Sequence, residues 1–242
     1  MPRGIDPRDN AYLQGRLWTP AALLPTAWWN AADLSTISHS GGTISQWRDS
    51  SGNSRHASGG TATLKTQNGL NACYFSGTGP MLISSPGNQQ ISIIAAVTPG
   101  TLTGGSGYKG LCANESGGSM LLARTNNLAW GTFGGGAEPS TGTILSDNGL
   151  KYILVMDGRG SGSFFENGSA VGTYTSTGGQ TPAHLGGIST QAFVGEILEV
   201  LWFGVEMSRP RRLALEGYLS HKWAIRLNAD HPFVNRPPLI GD

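Results

Sequence analysis

The stretch GSFFENGSAVGTY, residues 162–174, holds two strand-like halves around Asn167-Gly168. Asn-Gly is the pair preferred in a two-residue type I′ turn, because both positions take positive φ. Its flanks are thereby committed to antiparallel pairing. The same grammar recurs along the chain. TISQWRD (43–49) stops at the turn cluster SSGN, and ACYFSG (72–77) ends on glycine. SMLLAR (119–124) and LAWGTF (128–133) flank Thr125, Asn126 and Asn127, a hairpin connection. ISIIAAV (91–97), LKYILVMD (150–157) and FVGEILEVLWFG (193–204) are nearly continuous apolar runs, as expected of strands covered on both sides. Roughly a dozen short antiparallel strands in one chain make a sandwich or jelly roll.

Composition agrees. The 242 residues are 38% hydrophobic and 13% charged, with 37 glycines that follow no collagen-like period. Net charge is +1 without a basic stripe, which argues against a nucleic-acid partner. The densest cluster, Arg209, Arg211 and Arg212, is a solvated helix start or a protein contact. Cys73 and Cys112 lie in apolar strand-like segments and read as buried free thiols. Without CxxC or Cys/His spacing, no metal site and no cofactor is expected. No apolar run approaches the ~20 residues of a membrane span. The polar start MPRGIDPRDN lacks a secretory signal, so synthesis in the cytoplasm is expected and the sequons at Asn114 and Asn167 carry no weight.

Two regions break the strand pattern. Residues 1–22 carry Pro2, Pro7 and Pro20 and isolated apolar residues, and read either as a flexible terminus or as an extended arm whose Leu17 and Trp18 dock on a neighbouring subunit, the reading adopted because a tryptophan there calls for burial. Near the other end, ALEGYLSHKWAI (214–225) is helical: Ser208 is a suitable N-cap, and Leu215, Leu219 and Trp223 form one apolar stripe beside Tyr218. Arginines in the first turn oppose the helix dipole and point to carboxylate partners elsewhere. Pro232, Pro237 and Pro238 force an extended exit.

Three segments together resemble a known family. WWNAADLSTISHSGGTISQWRDSSGN and NGLNACYFSG resemble the opening of concanavalin A-like (laminin-G-like) jelly-roll domains of bacteriophage structural proteins. GEILEV, EGYLSHKW and HPFVNRPP resemble their ending. The likeness runs from about 27 to 238 and departs from the usual form at Arg226-Leu227-Asn228-Ala229. It implies an all-β, two-sheet antiparallel jelly-roll sandwich (residues 23–242) with one C-terminal helix (about 208–226) behind the N-terminal arm (1–22).

Glycoside hydrolysis needs two acids facing one site. Glu196 and Glu199 are spaced E-x-x-E, which a regular strand sends to opposite faces, and Ser119, Ser161 and the five histidines lie in no nucleophile context. The expectation is therefore a protein that is not an enzyme. Asp49 and Asn53 in DSSGN read as an Asx-type turn in place of a calcium loop. The loops TLTGGSGYKG (101–110) and GGGAEPSTG (134–142) present Tyr108, Lys109 and Glu138, the candidate ligand-binding residues. Leu17, Trp18, Arg209, Arg211 and Arg212 are the candidate docking residues. The resemblance of the chain's ending, taken with the N-terminal arm and the lack of a secretory signal, implies a bacteriophage virion protein, decorating a capsid, collar or tail as a homo-oligomer and contacting a host-surface glycan. A soluble carbohydrate-binding lectin is the alternative, and a glycoside hydrolase the remote one.

Overall fold

A computed structural model describes residues 17–242, apart from 68, 85–91, 101–107, 115–118, 125–128, 134–139, 145–148, 159–160, 176–181 and 189–190. Among the described residues, seventeen strands pair antiparallel and chain into two runs. One run is β5 (Thr63–Gln67), β6 (Leu70–Ser76), β17 (Val194–Phe203), β8 (Ser92–Pro99), β13 (Tyr152–Asp157), β14 (Ser161–Glu166) and β15 (Ser169–Thr175). β1 (Ala27–Asn30) lies beside β6 on the same edge of β17, pairing with its second half. The other run is β2 (Ile37–Ser40), β3 (Thr43–Trp47), β4 (Ala57–Ser58), β7 (Met81–Ile83), β16 (His184–Leu185), β9 (Tyr108–Ala113), β10 (Ser119–Arg124), β11 (Ala129–Phe133) and β12 (Ser140–Ile144). Among the described residues, a single strand pair, Thr43 with Thr63, joins the runs.

The two runs are the layers of a sandwich. Trp130 of β11 meets Phe164 of β14 edge-on at 5.2 Å, and its indole N–H donates to Glu166 across the gap at 2.9 Å. Trp29 and Trp202 pack edge-to-face at 4.7 Å in the same core. β8 and β13, the two central apolar runs, are buried at every position. Layer-on-layer burial explains why they lack alternation: one face meets the opposing sheet and the other lies beneath a helix. Cys73 and Cys112 are both buried and free, and burial raises both thiols, Cys112 to about 12.

That helix, α1 (Arg209–Trp223), follows Ser208, whose side chain makes no capping bond; the proline at its start needs no partner for an N–H. It closes on Ala224 in the left-handed region. Leu215, Leu219 and Trp223 are buried as their spacing predicts. Gly217 is required by close approach: a Cβ there would come within 2.6 Å of Phe233 in the chain's exit. Leu17 and Trp18 pack on their own chain. Trp18 meets Tyr218 edge-on at 6.2 Å and donates its backbone N–H to Pro238, while Leu17 bridges to Leu239. Residues 1–16 of the expected arm lie outside the described residues.

Beneath α1 the fold converges on one carboxylate. Glu199 of β17 has no solvent exposure. Its Oε1 accepts from the Trp28 indole at 2.6 Å and the Tyr218 hydroxyl at 3.2 Å. Its Oε2 accepts from Lys222 Nζ at 2.6 Å and the Trp223 indole at 2.9 Å. Lys222 also donates to Asn30 Oδ1 at 2.7 Å and the Tyr218 oxygen at 2.9 Å. Burial and the negative carboxylate beside it push the Tyr218 phenol far up, so it remains a donor. Removing Glu199 from this network strands the buried Trp223 indole N–H and a half-buried ammonium, Lys222. Glu199→Ala is expected to lower the unfolding free energy by about 3–5 kcal/mol, the range for breaking a buried charge pair. Urea unfolding measures this, and a loss below ~1 kcal/mol would remove the network from its structural role.

Candidate functional site

The Asn167-Gly168 hairpin places the site. Asn167 and Gly168 have φ of 49° and 87°, as a type I′ turn requires. The Asn167 side chain accepts the Ile153 N–H at 2.8 Å, and its backbone N–H donates to the Ile153 carbonyl, which locks the turn to β13. The chain leaving α1 then crosses the turn. Asn228 donates its backbone N–H to the Asn167 carbonyl at 2.9 Å and its amide to the Ser169 hydroxyl at 2.7 Å. His231 lies against Gly168, where a Cβ would meet the imidazole at 2.6 Å. His231 is in turn 3.2 Å from Glu216, which Arg212 holds through one guanidinium nitrogen at 2.8 Å from each oxygen.

Between this turn, the start of β13 and the exit of α1 lies a groove of about 770 Å³. Gln67, Lys151, Glu166 and Asn228 are its chemically useful walls, with Leu150, Val171 and Leu227 as apolar surface. Lys151 donates to the Trp223 carbonyl at 2.8 Å; burial lowers its pKa, partly offset by Glu196. Burial raises the Glu166 carboxyl, against the lowering effect of the Trp130 N–H. Gln67 donates to Thr98 at 3.2 Å and to the Glu196 carboxylate.

β17 corrects the reading of its two glutamates. Its register against β8 shifts between Ile197 and Glu199, so that Glu196 faces Thr98 and Glu199 faces Ala96. Thr98 and Ala96 share a face, so the bulge at Leu198 brings both glutamates to the α1 side of the sheet. E-x-x-E gives opposite faces only on an unbroken strand. Asp49 is held as an Asx turn: its carboxylate accepts from the backbone of Trp28, Ser51 and Arg55 and from the Ser51 hydroxyl. Asn53 donates to the Pro25 and Thr26 carbonyls.

Sequence reasoning placed the ligand elsewhere. Lys109 is half-buried at the start of β9, paired with Ala123 of β10. The backbone of Tyr108 pairs with Arg124, its side chain lies outside the described residues, and so does all of Glu138. Arg212 is turned inward onto Phe165, its guanidinium 3.6 Å from the ring centre, while Arg209 and Arg211 are exposed. Lys151, Glu166 and Gln67 drew no notice in sequence because each lies on a different element. The Arg226-Leu227-Asn228-Ala229 departure was the available signal, since its first three residues line the groove.

No protein-family model matches the sequence, and no curated protein is similar to it. Solved structures do share its fold. A mutant of Trypanosoma rangeli sialidase displaying trans-sialidase activity superposes with a TM-score of 0.58 at 18% identity, covering 90% of this chain and 38% of that one. The same sialidase in complex with sialic acid gives 0.56 at 16%, covering 82% and 33%. Domain 4 of AbnA, a GH43 extracellular arabinanase from Geobacillus stearothermophilus in complex with arabinotriose, gives 0.53 at 18%, covering 77% and 95%. The chain thus spans about a third of the sialidase chains it matches. At these identities the likeness establishes the β-sandwich alone. It also corrects the expectation that the chain is not an enzyme. Its fold is shared with portions of glycoside hydrolases, and at the β17 bulge Glu196 and Glu199 come to one face of the strand.

The raised Glu166 carboxyl has a measurable consequence. A group raised on folding contributes stability that is complete below its ordinary pKa, here 4.5, and is lost as pH rises through the folded value. Glu166→Gln, uncharged at all pH, escapes that loss. Its melting temperature is expected to exceed the parent's at pH 8 and to match it near pH 4. Thermal scans at both pH values check this, and a lower value at pH 8 would contradict it.

Proposed function

We propose that the chain is a carbohydrate-binding β-sandwich, with the saccharide lying in the groove between the Asn167-Gly168 turn and the exit of α1. The observation that carries this reading is the convergence of Glu166, Lys151 and Asn228 on one groove from three separately braced elements. A sugar ring presents neighbouring hydroxyls that both donate and accept, and an apolar C–H face. Glu166 supplies an acceptor, Lys151 keeps ammonium protons beyond its bond to Trp223, and Leu150, Val171 and Leu227 supply apolar contact. The volume suits an oligosaccharide segment, within the ~300–1,000 Å³ of small-molecule sites. The arabinanase domain in complex with arabinotriose lends support, as a sandwich of this type that holds a saccharide.

Binding by arabinotriose, sialic acid and a printed array of neutral and acidic oligosaccharides tests the reading. Lys151→Ala and Asn228→Ala are expected to weaken whichever saccharide binds at least tenfold, about 1.4 kcal/mol. Affinity unchanged in both variants would place the site elsewhere.

The likeness of the EGYLSHKW and HPFVNRPP segments to phage structural domains supports a finer reading, a virion module joined through its N-terminal residues to capsid, collar or tail proteins. Leu17 and Trp18 already rest on Tyr218 and Leu239 of their own chain, so the docking contact on this reading belongs to residues 1–16. Deleting residues 1–16 is expected to abolish incorporation into particles; normal incorporation would refute docking through those residues, and absence of the full-length chain from particles would refute the virion reading.

A further inference from the structure

The β14–β15 hairpin has a groove on each face. Glu166, Ser169 and Val171 line the one already described. Ser163, Phe165, Gly168 and Ala170 line another, of about 510 Å³, completed by the segment that leads into α1. From this second groove we infer a second saccharide-binding site, an inference that rests on the carbohydrate reading above.

Its walls divide into a fixed frame and free chemistry. Asp157 accepts from the Met207 N–H at 2.9 Å and from the Ser92 hydroxyl, and so ties the end of β13 to the approach of α1. Arg212 stacks on Phe165 while both oxygens of Glu216 hold its guanidinium, which fixes the ring in position. Phe165 itself is half-buried, and part of its surface belongs to the groove. Around it stand the exposed Glu206 and Arg209, for which no partner occurs among the described residues, and the Ser163 hydroxyl. An aromatic ring, a carboxylate acceptor, a guanidinium donor and a hydroxyl match the apolar face and adjacent hydroxyls of a sugar ring. A phosphate or other simple anion fits less well, because Asp157 and Glu206 would repel it.

The two sites are separate. Asn228 bonds to Asn167 and the His231 ring lies against Gly168, so the exit chain covers the turn that divides the grooves. A short saccharide fills one groove or the other, and a long polysaccharide could engage both at once, with the avidity that two linked sites confer.

Isothermal titration of the whole chain with arabinotriose, sialic acid and each array-positive oligosaccharide counts the sites. Two sites are expected for the parent chain. One is expected to remain in Glu206→Gln/Arg209→Ala, whose changes lie on exposed residues, and one in Lys151→Ala. Phe165→Leu, which keeps an apolar contact for Arg212 and loses the ring, is also expected to retain one. A single site that disappears in Lys151→Ala and survives in both the double variant and Phe165→Leu would overturn this inference and leave the first groove standing. A single site that disappears in the double variant alone would overturn the two-site arrangement and the first groove together. An absence of saccharide binding would remove both.

Discussion

The buried Glu199 carboxylate is the point on which the architecture depends. An ionised group without solvent exposure persists only where its lone pairs are occupied and its charge is met. The donors that meet it come from β1 and from three residues of α1, so satisfying one side chain seats the helix and the edge strand together. The motif EGYLSHKW follows from this demand. Tyr218, Lys222 and Trp223 reach Glu199, Leu219 fills the interface with the sheet, Gly217 admits Phe233, and Glu216 takes Arg212 and His231. The HPF of the exit completes the same construction from outside, with His231 on Glu216 and Phe233 over Gly217.

A second layer of consequence runs from the helix to the grooves. Once α1 is seated, its exit must cross the Asn167-Gly168 turn, and the bonds from Asn228 hold the hairpin where both of its faces are lined. Groups with displaced titration stand at the edges of this region. Glu166 and Asp157 are both raised, chiefly by burial, and the network around each is local. Keeping carboxyls half-desolvated beside open volume lowers stability at neutral pH, a pattern common at binding surfaces.

Much of the fold was legible in the residues. Asn167-Gly168 located its hairpin, the runs in β8, β13 and β17 announced two-sided burial, and Leu215, Leu219 and Trp223 named the buried stripe of α1. These are local signals: a turn that needs positive φ, an apolar period, a helical spacing. The candidate site was not legible in the same way. Lys151, Glu166, Gln67 and Asn228 lie far apart along the chain, and none stands in a motif that announces a ligand. The glutamates of β17 were misjudged for a related reason, since a bulge is a property of the partner strand's register and leaves no mark on E-x-x-E.

By itself, then, the sequence determined an antiparallel sandwich closed by one helix, because turn chemistry and hydrophobic period act over a few neighbouring residues. Only the tertiary structure decided where the sheets, the helix exit and the hairpin meet, and which polar groups face the same volume. That depends on long-range register and on how a buried carboxylate is satisfied. It placed Arg212 on Phe165, Trp18 on Tyr218 and both glutamates of β17 on one face.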